Sequence, residues 1–320
     1  MTETDILIPQ VVERPRPSRS SRISGFPLES GSWKNMFHIT AIDLYGNAFY
    51  TETIALPYSN TEEYYRQLTD KVRKFIAENH YPNEKILGIS IATQGITSPD
   101  NSTVIYGNIM NNTGMKLEDF SRHLPYPCHL EHDSKSAAFL ELWNHPELDS
   151  AVVFLLNRNL GGAIITNHQI HQGSSMHSGT LEHMCVNPDG PLCYCGNHGC
   201  LETYCSANAL EQSAGMPVKE FFPLLREKKS PRLAEHWEDY LNHLAFAMKN
   251  LNLIIDAPII LSGYLAPYFT EEDINYLLEH INTDAPFTLD RSQILVGTHG
   301  QYTPAIGAAL YYVEKFTQSV

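Results

Sequence analysis

The eight residues CYCGNHGC, at positions 193–200, constrain the fold of this chain more than any other stretch. They hold three of its six cysteines, and five of the six fall within residues 185–205. Cysteines this closely spaced predict a disulfide framework in an oxidising compartment and a metal site in a reducing one. A signal peptide would need a basic start followed by an apolar stretch, and the sequence from Met1 does not show this pattern. We therefore expect a cytoplasmic protein with reduced thiols. A metal site is the favoured interpretation, and a reduced, metal-free loop is the alternative.

The residues around this loop can supply the imidazole and thiolate ligands that zinc prefers. Gly196 and Gly199 allow a turn that returns the chain beside Cys195, and a second turn at residues 188–191 precedes the cysteines. His198 is a competing nitrogen ligand, although it is expected at the tip of the turn. The favoured ligand set is His183, Cys193, Cys195 and Cys200.

Composition limits the partners of the chain. A net charge of −14 argues against a protein that coats itself in nucleic acid, since phosphate binding needs a basic face. No apolar run approaches the roughly 18 residues of a membrane helix. The exception in charge is residues 14–22, which predict either a solvated tail or a linker that lies beside DNA. The basic residues of this segment are Arg14, Arg16, Arg19 and Arg22.

Hydrophobic periodicity predicts an α/β protein with two similar halves. Each half begins with a strand pair, at residues 36–56 and at residues 151–167, and continues into helices and buried strands. The turn of the first pair falls at Gly46, where a tight hairpin needs a positive φ. A long amphipathic helix is predicted over 232–255, and the closing helix from Ala305 has a small-residue face that favours close packing.

The stretch EHMCVNPDGPLCYCGNHGCLETYCS resembles the signature of the ROK family of repressors, open reading frames and sugar kinases. The family pattern is a His, then Asp-Gly, then Cys-x-Cys-Gly-x-x-Gly-Cys-x-Glu, and every element occurs here in order. The resemblance extends to ATQGI, EHDSKSAA and the last 60 residues. It implies an actin-like, hexokinase-like (ribonuclease H-like) α/β fold of two domains around a sugar cleft, and a structural Zn2+ on the four ligands above.

The same resemblance implies the domain limits. A flexible N-terminal segment, a possible remnant of a winged-helix linker, would occupy residues 1–27. The N-terminal α/β domain would occupy 28–134. The C-terminal α/β domain with the zinc loop would occupy 135–320, and its last helix could return to the N-terminal domain.

The family's hexose-binding positions carry over to Gly95, Asn112, Asp133, Thr180, His183 and Glu202. Asp133 matches the aspartate that serves family kinases as the base on the sugar hydroxyl. His183 would hold zinc with one ring nitrogen and face the sugar with the other. The chain departs from the kinases in three places: His132 replaces an asparagine, Thr180 replaces a glutamate, and Glu182 replaces a glycine.

The phosphate-binding loops depart further from the family pattern. Kinases of the family carry glycine-rich loops, because backbone N–H groups approach phosphates only where side chains are absent. In the first loop Gly-Gly-Thr is replaced by Trp33, Lys34 and Asn35, and the second loop carries Asn157, Arg158 and Asn159. Near the adenosine site the usual Gly-Gly is Ser262-Gly263.

These features favour a sugar-sensing body of a ROK transcriptional regulator without kinase activity. The alternative is an ATP-dependent hexose or amino-sugar kinase with Asp133 as its base. A third class, a purely structural zinc protein, explains the cysteines but not Asp133 and Glu202 together.

The regulator interpretation predicts three kinds of partner. The first is a small-molecule sugar or sugar phosphate, and the second is another copy of the chain, in a homodimer or homotetramer. The third is DNA, reached only through a helix-turn-helix that these 320 residues do not contain. The subunit interface is expected at Leu201, Tyr204 and Leu210 or on the apolar stripe of helix 232–255, unless these residues form the core.

Overall fold

The structure, a computed structural model, describes residues 22–28 and 36–319 of the chain. The basic segment 14–22, apart from its last residue, lies outside the described residues. The same holds for the predicted first phosphate loop at Trp33, Lys34 and Asn35.

The first half of the described chain is built mainly from strands. Its elements are β1 (Arg22–Leu28), β2 (Met36–Ile42), β3 (Ala48–Ala55), α1 (Glu62–Glu78), β4 (Ile86–Thr93), β5 (Ile96–Thr97), β6 (Val104–Tyr106), α2 (Leu117–Ser121) and β7 (Cys128–His132).

The second half carries more helix. Its elements are α3 (Asp133–Asn144), β8 (Ala151–Leu156), β9 (Leu160–Thr166), β10 (Gln169–Ile170), α4 (Glu202–Cys205), α5 (Ala207–Ala214), α6 (Val218–Arg226), α7 (Pro231–Ile255), β11 (Ile259–Ser262), α8 (Glu271–Asn282), β12 (Ile294–Val296) and α9 (Thr303–Ser319).

Two five-stranded sheets repeat one topology. The first has the order β3-β2-β1-β4-β7 and the second the order β10-β9-β8-β11-β12. Along each sheet, the first three strands in this order are antiparallel to their neighbours. The last two run parallel to the third, which is β1 in the first sheet and β8 in the second. This confirms the predicted repeat, and it places the carboxyl ends of β4 and β7 at one edge, where ligands bind in α/β folds.

The closing helix α9 packs closely against α3 and also connects the second half to the first. A Cβ on Gly307 of α9 would lie 1.8 Å from the Ser136 carbonyl oxygen of α3, so only glycine permits this approach. The closing helix also packs against β1 and β4 of the first sheet. The prediction of a small-faced, closely packed final helix is confirmed, whereas the domain limits remain a prediction.

Most of the residues considered for a subunit interface lie in the core. Leu201 and Leu210 are buried, and the stripe of α7 packs inside the second half. Tyr204 is half-buried, with its ring stacked on His243 at 3.8 Å. The core alternative is therefore confirmed for Leu201, Leu210 and the stripe, because the amphipathic pattern reports burial but does not say which surface covers the apolar face.

Strand β1 corrects the sequence analysis for residues 22–27, which it had placed in the flexible segment 1–27; the rest of that segment lies outside the described residues. Arg22–Leu28 pairs with β2 on one side and with β4 on the other, so it is a central strand. Gly25 and Pro27 interrupt the alternation from which strands are predicted.

Within the described ranges, no helix combines the length and the apolar character needed to cross a membrane.

Candidate functional site

A pocket of about 520 Å³ lies where the carboxyl ends of β4 and β7 face the start of β9. From the first half it is lined by Gln94, Gly95, Ile96, Tyr106, Gly107, Asn108, Ile109 and His132. From the second it is lined by Asp133, Ser134, Asn159, Leu160, Gly161, Thr180, Glu182, His183 and Tyr194.

Asp133 lies at the first turn of α3 and is held firmly in place. Its Oδ1 accepts hydrogen bonds from the Ser134 backbone N–H at 2.7 Å and from the Ser134 hydroxyl at 3.2 Å. His132 Nε2 lies 3.3 Å from the same oxygen. Burial, assisted by the Lys135 ammonium, lowers the pKa of His132 to about 4, so its imidazole is neutral at pH 7. The carboxylate is therefore fixed in orientation at the pocket wall.

His183 stands between the pocket and the cysteines. It ends the short 3-10 turn Leu181–His183. Its Nδ1 lies 3.8 Å from the Cys193 sulfur, and its Nε2 lies 4.0 Å from Oε1 of the pocket residue Glu182. The two ring nitrogens thus face the thiols and the pocket; the double role of His183 remains a prediction.

The four predicted metal ligands come together. One ligand atom from each of His183, Cys193, Cys195 and Cys200 lies within 4.8 Å of every other. The Cys195 and Cys200 sulfurs are 3.6 Å apart. Two thiolates on one tetrahedral zinc are separated by about 3.8 Å, given Zn–S bonds of about 2.3 Å. The donor set and its spacing therefore fit a metal ion that prefers thiolate and imidazole.

The loop that carries these thiols is a small antiparallel ladder. Leu192 bridges to His198, and Cys185 bridges to Cys200. His198 is not part of the cluster, and its Nδ1 lies 3.0 Å from the Gly190 carbonyl oxygen. The competing nitrogen ligand is therefore held by the backbone.

Gly95 and Thr180 line the pocket, as expected of sugar-binding positions. Gly95 adopts φ +119°, and a Cβ there would lie 2.9 Å from the Tyr106 carbonyl oxygen. Glycine is therefore required at this turn. The Thr180 hydroxyl donates to the His177 carbonyl oxygen at 3.0 Å.

Asn112 and Glu202 lie outside the lining. Asn112 is buried, and its amide donates to Thr93 Oγ1 at 3.0 Å and to the Gln94 carbonyl oxygen at 2.8 Å. Glu202 accepts from the Leu160 backbone N–H at 2.6 Å and from Asn159 Nδ2 at 2.7 Å. Burial raises the pKa of Glu202 to about 7. Both residues position the lining, since each binds residues that form it.

Glu182 is the pocket residue to which sequence reasoning assigned no role. It is 8% exposed, and its Oε2 has no hydrogen-bond partner among the described residues. Burial raises the pKa of Glu182 to about 8, and the carboxylates of Glu202 and Asp133 add to this rise. One feature of the sequence could have pointed to Glu182. It stands where family kinases carry a glycine, two residues after Thr180, which replaces a family glutamate.

The side chains of the second phosphate loop are engaged with the protein itself. Asn157 Oδ1 accepts from the Tyr264 backbone N–H at 2.7 Å. Arg158 forms an ion pair with Glu211, and its guanidinium lies 5.2 Å from the centre of the Tyr264 ring. Tyr264 directly follows the Ser262-Gly263 pair, so these contacts connect the loop to that segment.

A sequence model of the ROK family matches residues 29–315. The chain belongs to the ROK family. Its actin-like, hexokinase-like fold recurs in the solved ROK structures that it resembles. A Streptomyces griseus ROK glucokinase, solved with glucose and AMPPNP, gives a TM-score of 0.77 at 18% identity, over 90% of this chain and 98% of that one. A ROK transcriptional regulator, a homologue of the Escherichia coli MLC protein, gives 0.74 at 15% identity, over 92% and 79%.

Curated ROK relatives also fall into two functional classes. The Escherichia coli K12 dual regulator NagC is 27% identical over 177 residues, which are 54% of this chain and 44% of NagC. A Vibrio cholerae N-acetylmannosamine kinase is 27% identical over 186 residues, which are 55% of this chain and 63% of the kinase. The chain thus spans about half the length of the curated relatives it matches.

Proposed function

We propose that this ROK chain is the sugar-sensing body of a transcriptional regulator and that it does not transfer phosphate. The observation that carries the proposal is the engagement of Asn157 and Arg158 at the second phosphate loop. Backbone N–H groups can cradle a nucleotide phosphate only where side chains leave room. Here the loop is crowded, while the pocket beside Asp133 remains open.

The placement of Asp133 at the pocket favours the kinase alternative. A measurement of nucleotide binding distinguishes that alternative from the proposal. We expect calorimetric titration with MgATP to give no measurable heat, because a loop without bare backbone loses most of its phosphate affinity. Titration of the same sample with a hexose and amino-sugar panel should detect one ligand. Turnover above about 1 per second in a coupled assay, the low end for kinases, would establish the alternative.

We also propose that the His183 and cysteine cluster holds one structural zinc ion per chain. Zinc would hold the loop that contributes His183 and Tyr194 to the pocket wall, so the metal would stabilise the pocket indirectly.

Elemental analysis of purified protein should find about one zinc per chain, and Cys195→Ser should lose most of it because tetrahedral sites need all four ligands. Cys185→Ser is the matched control, since Cys185 is an exposed cysteine of the same loop outside the cluster. Equal zinc in both variants would contradict the ligand assignment.

The assembly of the proposed regulator remains a prediction. A sensor body that holds DNA-binding arms at fixed spacing is expected to form a homodimer or homotetramer. DNA would be reached through a helix-turn-helix outside these residues, because the net charge of −14 disfavours direct contact with phosphates.

A further inference from the structure

We infer that the ligand of this chain is a saccharide of at least two units, and that its second unit lies in a groove beside the pocket described above. The inference rests on the proposed sugar-sensing function and names the ligand class of the same site. This outer groove lies between residues 191–194, in the loop that carries the cysteines, and helices α4 and α5.

The outer groove begins at the border of the pocket. Asn159 and Tyr194 line both of them. Asn159 belongs to the turn between β8 and β9, whereas Tyr194 belongs to the cysteine loop. Tyr194 stays 39% exposed, so part of its side chain is open to a ligand. A sugar bound in the pocket therefore ends at two residues from which the groove continues.

The cysteine loop gives the outer groove an apolar side. Leu192 is 65% exposed there, beside the partly exposed ring of Tyr194. The Tyr194 ring contacts the His183 ring edge to face, with 5.1 Å between the ring centres, and this contact holds it in position. Apolar surface that a ligand removes from water favours binding. The C–H face of a sugar ring can cover such a surface, because most of its hydroxyl groups point outward from the rim.

Helix α5 gives the groove a polar side. Asn208 and Gln212 line it, and their spacing of four residues places them on one face of the helix. Their side-chain amides have no hydrogen-bond partner among the residues that the structure describes. An amide group both donates and accepts, and so does a sugar hydroxyl. The groove thus pairs an apolar side with amides, which suits a sugar ring that has one apolar face and a polar rim.

The charge of the groove favours a neutral second unit. The described residues that line it include no lysine, arginine or histidine. Proteins recognise phosphate and carboxylate groups largely through such cations. An acidic or phosphorylated second unit would find no counter-charge here, whereas the hydroxyl groups of a neutral sugar need none.

Calorimetric titration with sugars of one and two units tests the inference. The single sugars are glucose, galactose and N-acetylglucosamine, and the disaccharides built from them are cellobiose, maltose, lactose and N,N′-diacetylchitobiose. For the disaccharide that binds, we expect an affinity at least about 10-fold above that of either component sugar. The area and the hydrogen bonds of the outer groove supply this advantage.

A double variant on α5 assigns the advantage to the outer groove. In Asn208→Ala/Gln212→Ala the advantage of the disaccharide should fall at least about 3-fold, since each lost hydrogen bond costs roughly a factor of 2 to 10. The affinity for the single sugar should stay at the parent level. Alanine is the better helix former, so α5 should be kept. Gln318→Ala, at an exposed position on α9, is the matched control and should leave both affinities unchanged.

The possible outcomes separate the inference from the function on which it rests. Disaccharides that bind no more tightly than their component sugars would overturn the inference and leave a sensor of single sugars in place. A disaccharide advantage that survives in the folded double variant would overturn it as well, because the second unit would then lie outside the outer groove. Failure of every sugar to bind would overturn the proposed function itself. Far-ultraviolet circular dichroism and zinc content establish that each variant is folded.

Discussion

Replacing Asp133 with alanine is expected to weaken sugar binding by at least about 100-fold. Hydrogen bonds to charged groups contribute about 1.5 to 3 kcal/mol each, and two of them account for two orders of magnitude in affinity. Asp133 is suited to this role because the Ser134 N–H and hydroxyl hold one of its oxygens in place. The sugar therefore meets a carboxylate that is already oriented.

The measurement is calorimetric titration with the sugar that binds the parent protein. Asp133→Asn is the informative companion, because it keeps the shape of the side chain and removes the charge. Asp239→Ala removes a carboxylate that is 67% exposed on α7 and should change nothing. Zinc content should stay at the parent level in all three. Parent-like affinity in Asp133→Ala would place the ligand elsewhere.

Periodicity predicts most elements of this fold because their apolar faces are regular. Helix α7 runs over Pro231–Ile255 where the spacing predicts 232–255, and the strand pair at 151–167 forms β8 and β9. Strand β1 lacked such a signal. Its sequence RISGFPL becomes a central strand because β2 and β4 supply partners on both edges. Tertiary pairing here overrides local preference.

Sequence reasoning finds the His183 and cysteine cluster more readily than the pocket lining. Thiols two to five residues apart can meet only through a local turn, so the spacing of the cysteines carries geometric information. Pocket lining depends on which way a side chain points at the end of a strand or turn. In the turn Leu181–His183 the side chain of Leu181 joins the core cluster of the second half, while Glu182 and His183 line the pocket. Family matching placed Asn112 and Glu202 in the lining, but their side chains support it from outside.

The second large effect is expected at Gly199, in the ladder that carries the proposed metal ligands. A Cβ on Gly199 would lie 1.5 Å from the Asn187 carbonyl oxygen, and the residue has φ +65°. Alanine would force apart the two arms joined by the Val186 N–H to Gly199 carbonyl bond of 2.9 Å. Cys200, the next residue, would move with it. We expect Gly199→Ala to lower the free energy of unfolding by about 3 kcal/mol or more and to reduce the zinc content.

Gly196→Ala in the same loop separates the clash from the cost of the backbone conformation. Gly196 has φ +90°, but a Cβ there would meet nothing within 4 Å. Its replacement should cost only about 1 to 2 kcal/mol, the ordinary cost of a left-handed conformation, and should keep the zinc. Thermal melting should then give a midpoint roughly 6 °C or more below the parent for Gly199→Ala and a few degrees below it for Gly196→Ala. Equal melting midpoints and full zinc content in both variants would contradict this prediction. They would mean that Asn187 can shift without moving Cys200, so that metal binding depends on the cysteines and not on the ladder.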